Sequence, residues 1–143
     1  MKKIFLLAVA FFAMQFSFAQ ASAEAKTYVK NLGVKESLDM SKKDISDLIL
    51  PENLTNFNSE FDAIAATFIT SFENLFHENY TSEDLNKMNS SIENNTTLDP
   101  IMPKDLETFQ QKAMKAEEEM GLSLEGIVMK YGDPVKLEQM QQE

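Results

Sequence analysis

The chain has 143 residues, which is enough for one domain with a hydrophobic core. It carries 13 lysines and no arginine against 23 acidic residues, so its formal net charge is −10. Such an acidic chain is disfavoured as a nucleic-acid binder, because that function needs a cationic surface. The absence of cysteine excludes disulfides, thiol catalysis, iron–sulfur clusters and thiolate zinc sites.

Residues 1–19 have the pattern of a bacterial secretory signal peptide. Lys2 and Lys3 precede a run of about 15 mostly apolar residues, and Ser17-Phe18-Ala19 fits the small-x-small pattern of a signal peptidase site. We therefore expect cleavage before Gln20. The alternative is a retained membrane anchor, but the run is shorter than the roughly 20 residues that span a bilayer. Without a cysteine at this junction, lipid attachment is excluded.

Residues 20–135 are predicted to form a single all-α domain. Apolar residues recur at steps of three and four, and no stretch alternates with a period of two. A first helix is predicted over residues 21–32, ending at Gly33. Ser41 is a candidate cap for a second short helix, which should stop near Leu50 because Pro51 follows it.

A long helix over residues 52–79 is the clearest predicted element. At about 1.5 Å per residue it would be roughly 40 Å long, so in a compact domain the other helices should pack around it. One face of this helix carries the apolar residues Phe57, Phe61, Ile64, Phe68, Phe72, Leu75 and Phe76. This stripe is typical of a core, with Phe68 and Phe72 at its centre. The alternative interpretation is a channel for an apolar ligand.

The rest of the chain is predicted to form three further helices and one loop. Thr81 should cap a fourth helix with acids in its first turn, followed by a polar surface loop over residues 89–99. A fifth helix over residues 103–120 should end at Gly121. Ser123 is then the candidate cap of a last short helix that ends at Gly132.

The predicted fold is therefore a compact bundle of about five to six helices around one phenylalanine-rich central helix. The last residues, 136–143, are predicted to be a frayed or disordered tail.

Part of this pattern resembles a known family. Pro51-Glu52-Asn53 leads into the long aromatic helix, and Tyr80-Thr-Ser-Glu-Asp-Leu85 opens the next one. Over residues 45–120 this arrangement resembles a secreted bacterial family of small all-helical domains of unknown function. Its members usually continue with Phe-Tyr-x-Ser-Pro-x-Gly-Lys, where this chain has Ser-Ser-Ile-Glu-Asn-Asn at residues 90–95. The resemblance implies an exported helical fold and no reaction, and no site residue is transferred from it.

The residues that usually carry chemistry are sparse. His77 is the only histidine, which excludes a metal site with several histidines from one chain. Glu73 lies four residues before it and Glu78 follows it, so the three could share a metal. One histidine beside acids is nevertheless a common arrangement in a chain with 23 of them. We assign no catalytic, cofactor-binding or metal-binding residue and expect no enzymatic activity.

Three functions from different classes agree with this sequence. The first is a non-catalytic interaction protein, exported through the inner membrane and either periplasmic or secreted. Its partner would be a protein, with a basic one favoured, and it would have no integral membrane association after cleavage.

The second function is a small carrier of apolar molecules, and the third is a hydrolase that depends on carboxylates or a metal. In the carrier, the phenylalanine stripe and the methionines of the later helices would line a cavity. Those methionines are Met88, Met102, Met114, Met120 and Met129.

Overall fold

The computed structural model describes residues 20–140, and over that range it contains six α-helices and one short 3₁₀ helix. The helices are α1 (Ala23–Asn31), α2 (Val34–Ser46), α3 (Leu54–Asn79), α4 (Ser82–Glu93), α5 (Leu106–Tyr131) and α6 (Pro134–Met140), with the 3₁₀ helix at Pro51–Asn53. The predicted all-α bundle around one long helix is confirmed. The predicted signal peptide, residues 1–19, lies outside the described residues, as do residues 141–143 of the predicted tail.

Local capping chemistry explains where several helices start. The Ser22 hydroxyl accepts a hydrogen bond from the Ala25 amide and opens α1. Thr81 and Asp84 form a reciprocal capping box at the start of α4, as the sequence predicts for Thr81. Gly33 separates α1 from α2 with a φ of +70°, a left-handed conformation that glycine adopts without a steric penalty.

Three predicted boundaries are wrong. Ser41 does not start a helix; its hydroxyl donates to the Ser37 carbonyl inside α2. Gly121 does not end one, because α5 is continuous through it and Ser123 bonds back to Glu119 within the same helix. A mid-helix glycine costs only about 1 kcal/mol relative to alanine, and the apolar residues on both sides of Gly121 continue to face α3.

The polar segment after residue 88 also differs from the prediction. Residues 89–93 continue α4 instead of starting the loop, because Asn89 is buried and its side chain donates to the Glu24 carbonyl of α1. Residues 136–140 belong to α6 and not to a frayed tail. That helix starts at Pro134, and the Asp133 carboxylate accepts from the Val135 amide in its first turn.

The helices pack around α3, which contacts α1, α2 and α5, while α4 packs against α1. Helices α3 and α5 are antiparallel, since Phe109 at the start of α5 contacts Phe76 near the end of α3. At the other end, the Tyr131 hydroxyl of α5 donates to Glu60 in the second turn of α3 at 2.7 Å.

The core consists of two clusters at opposite ends of α3. The first, cluster A, contains the buried residues Ala21, Ala25, Val29, Phe76, Tyr80 and Leu85. The second, cluster B, contains Leu38, Ile49, Phe57, Phe61, Ile127 and Tyr131. Val34 and Ile69 are partly buried and contact both clusters.

Between the clusters lies a region that we call the waist, formed by residues 62–73 of α3 and 107–126 of α5. No side chain in these two ranges is fully buried. Phe68 and Phe72 lie here with ring centroids 4.6 Å apart, and both are only partly buried. They are therefore not the central core anchors that the sequence predicts; Phe57 and Phe61, 0% and 1% exposed, have that role.

Candidate functional site

His77 does not form a metal site with the neighbouring acids Glu73 and Glu78 in the described part of the chain. It lies half-buried in the last turn of α3. Glu78 is directed to α5, where its carboxylate lies 2.7 Å from the Lys112 ammonium. Among residues 20–140, no group of three or more histidine, aspartate and glutamate side chains is close enough to hold a metal ion.

Asn89, which is buried, and Asn31, which is partly buried, form a polar network between α1 and α4. Asn31 donates to the Asn89 carbonyl oxygen at 3.1 Å and to the Glu93 carboxylate at 3.2 Å. Asn89 in turn donates to the Glu24 backbone carbonyl at 3.1 Å. These hydrogen bonds pair the Asn31 and Asn89 side chains across the two helices, so the network joins α1 to α4.

An open groove of about 730 Å³ lies beside α4 and the loop that follows it. Its lining is mostly polar and includes Glu83, Lys87 and Ser91. Glu83 and Lys87 form an ion pair, and the Ser91 hydroxyl donates to the Thr96 carbonyl. The side chains of Glu83, Lys87 and Ser91 are therefore engaged within the chain itself.

The phenylalanine stripe packs as an aromatic core at the cluster A end of α3. Phe76 contacts Tyr28, Phe109 and Tyr80 with ring centroids 4.8, 5.5 and 5.7 Å apart. The five methionines expected to line a cavity with it are dispersed. Met88 and Met120 pack against different clusters, whereas Met102, Met114 and Met129 are exposed.

The outer side of α5 carries exposed apolar side chains. Met114, Leu122 and Met129 are 69%, 62% and 72% exposed, at intervals of about two helical turns. Glu118 and Glu125 alternate with them, and neither acid lies within ion-pair distance of a lysine in the described part of the chain. We call these five residues the α5 stripe.

The α5 stripe ends at a groove of about 580 Å³, which we call the C-terminal groove. It is lined by Leu48, Val128, Met129, Gly132, Pro134, Leu137 and Glu138. Backbone pairing fixes its shape: the Asp133 amide donates to the Leu48 carbonyl at 2.7 Å, and the Leu50 amide to the Tyr131 carbonyl at 3.1 Å. The lining is apolar apart from the Glu138 carboxylate.

Gly132 allows the close contact that forms this groove. A Cβ atom on Gly132 would lie 2.5 Å from the Val128 carbonyl oxygen and 2.6 Å from a Leu137 methyl carbon. Only a residue without a side chain therefore lets α6 fold back against the end of α5.

Sequence reasoning does not find the α5 stripe. Met114 and Met129 share a face only if one helix runs through Gly121, which from the sequence is predicted to be a helix end. The signal is the unbroken spacing of Met120, Leu124 and Ile127 across that glycine. The C-terminal groove joins Leu48 to residues 80 or more positions later, and no local pattern indicates such a contact.

No known protein family, curated protein or solved structure matches this chain. The resemblance to the secreted helical family therefore remains a prediction from residues 45–120. Within residues 20–140, none of the helices is both long enough and apolar enough to cross a membrane.

Proposed function

We propose that the chain is an exported, non-catalytic interaction protein of the periplasm or cell exterior. The observation that carries this proposal is the α5 stripe together with the C-terminal groove. Single exposed apolar residues are ordinary on protein surfaces, but an aligned series that ends in an apolar groove is typical of a contact surface.

The charge of the chain supports a basic protein as the partner. Residues 20–143 hold all 23 acids but only 11 lysines, because Lys2 and Lys3 lie in the predicted signal peptide, which gives a formal charge of −12. The negative charge of this chain speeds its encounter with a cationic surface and disfavours binding to anionic partners such as nucleic acid.

Export is supported by the sequence of residues 1–19 and by the position of the first helix. The α1 cap is Ser22, and Ala21 already packs in cluster A, so the helical unit starts next to the expected cleavage site before Gln20. A chain cleaved before Gln20 would therefore keep α1, its cap and the packing of Ala21.

Crosslinking in the producing cell envelope tests this proposal. The exported protein would carry a photoreactive residue at Met129, within the α5 stripe, or at Met40, an exposed methionine of α2. We expect one defined protein partner, identified by mass spectrometry, from Met129 and not from Met40. If neither position, nor a wider set over the surface, gives a protein adduct, the interaction function is wrong.

The waist favours a second candidate function, the carrier of apolar ligands. Phe68 and Phe72 are partly exposed, so an apolar molecule could cover their rings. Organic extraction of the purified protein followed by mass spectrometry tests this. A stoichiometric lipid-like compound that is lost in Phe68→Ser would support the carrier, and its absence would contradict it.

A further inference from the structure

The α5 stripe and the C-terminal groove form one continuous surface, because Met129 belongs to both. We propose that this surface binds a cationic amphipathic helix of another protein, with one apolar side chain of that helix placed in the groove. This inference rests on the proposed function and specifies the chemistry of its partner.

The acidic groups along this surface indicate the charge of the partner. Glu118 and Glu125 lie along the stripe and Glu138 lines the groove, and none of the three is ion-paired within residues 20–140. The adjacent lysines are already engaged. Lys130 lies 2.6 Å from the Glu60 carboxylate, and Lys136 donates to the Asp47 carbonyl at 2.6 Å.

The same acids disfavour a second copy of this chain as the occupant. Two copies would bring the unpaired carboxylates of both surfaces together, at a formal charge of −10 on each full chain. Like charges placed opposite each other across an interface are repulsive, whereas lysines or arginines on a partner would pair with these carboxylates.

The apolar spacing indicates that the partner is helical. Leu122 and Met129 are seven residues apart, which is about 10.5 Å along α5 at 1.5 Å per residue. A helix lying along α5 repeats its apolar face at the same interval, with anchors at i, i+3, i+4 and i+7. The flexible methionine side chains can adapt to anchors of different shape.

The probe for the test is a fluorescein-labelled model peptide of leucine and lysine, with leucines at helical spacing. A scrambled peptide has the same composition and charge but no apolar face. We expect the patterned peptide to bind the processed wild-type protein in an anisotropy titration and to gain helical circular dichroism. The scrambled peptide should bind about tenfold more weakly or not at all.

Matched variants locate the binding surface. Met129→Glu should weaken binding of the patterned peptide about tenfold. Met40→Glu adds the same charge at a methionine of α2 that is 64% exposed, and it should change binding less than about twofold. Glu125→Lys should weaken binding and reduce its salt dependence, unlike Glu36→Lys on α2. Unchanged melting temperatures establish that all four variants fold.

Several outcomes would overturn the inference. Equal binding of both peptides, or equal weakening by Met129→Glu and Met40→Glu, would show that only the net charge attracts them. A dimer in sedimentation velocity that Met129→Glu abolishes would make a second copy the occupant. If no peptide binds while Met129 still crosslinks to a protein in the envelope, this inference fails and the proposed function stands.

Discussion

Phe61 and Phe68 lie seven residues apart on the same face of α3, yet their side chains are exposed to solvent to different extents. Phe61 is 1% exposed and packs in cluster B, whereas Phe68 is partly buried in the waist. We expect Phe61→Ala to lower the free energy of unfolding by about 3–5 kcal/mol and Phe68→Ala to lower it clearly less.

Urea denaturation of both variants measures this difference. Equal losses would mean that Phe68 is as well covered in solution as Phe61, either by a ligand or by another chain. That result would contradict the partial exposure of Phe68 in the waist.

Gly132 is the residue on which the C-terminal groove depends. Gly132→Ala would place a methyl group against the Val128 carbonyl and the Leu137 side chain, so we expect a loss of about 1–3 kcal/mol and displacement of α6. Gly126→Ala is the matched control, since its Cβ would have no neighbour within 4 Å. Because Gly126 lies in the interior of α5, where alanine favours the helix, Gly126→Ala should stabilise the protein by about 0.5–1 kcal/mol.

Thermal melts and NMR shifts of α6 amides distinguish these two alanine variants. If both stabilise the protein, the close contact of α6 with the end of α5 does not persist in solution.

At the scale of the elements, a helix boundary is predictable where residues close in sequence form it, and it is not where packing against a distant segment decides it. Thr81 with Asp84 marks the start of α4 because the capping box is a contact between neighbours in sequence. Gly121 misleads, because glycine is frequent after helix ends, and only packing against α3 makes α5 continue through it. Asn89 misleads in the same way, since its bond to Glu24 spans 65 positions.

The ion pair between α3 and α5 makes a pH-dependent contribution. Hydrogen bonds from Lys130 and then Tyr131 hold the pKa of the Glu60 carboxyl below its ordinary value of 4.5. Because the folded state favours the carboxylate, its contribution is fully present above pH 4.5 and is lost as the pH falls through the lower, folded pKa.

We therefore expect Glu60→Gln to be less stable than the wild type at neutral pH and to approach it in acid. Urea midpoints of both proteins between about pH 7 and about pH 3 test this. A difference that stays constant with pH would show that the carboxylate charge of Glu60 has no part in joining the two helices.

At the scale of the whole molecule, we expect the chain to be cleaved during export. Expressed in a Gram-negative host, the precursor should lose residues 1–19 and be released by osmotic shock with Gln20 as its first residue. Intact mass and N-terminal sequencing check the cleavage site. An uncleaved chain in the membrane pellet would favour the retained anchor instead.

The division of the core also has a consequence for how the native state opens. Clusters A and B have no buried residue in common. They are joined through partly buried side chains, namely Val34, Ile69 and the Phe68–Phe72 pair, so each end of α3 can lose its packing while the other keeps most of its own. Such regions behave as separate cooperative units, or foldons, with different opening free energies. Amide hydrogen exchange along α3 should then report two levels of protection that meet in the waist. Phe61→Ala would speed exchange at the start of the helix and leave the amides around Phe76 protected.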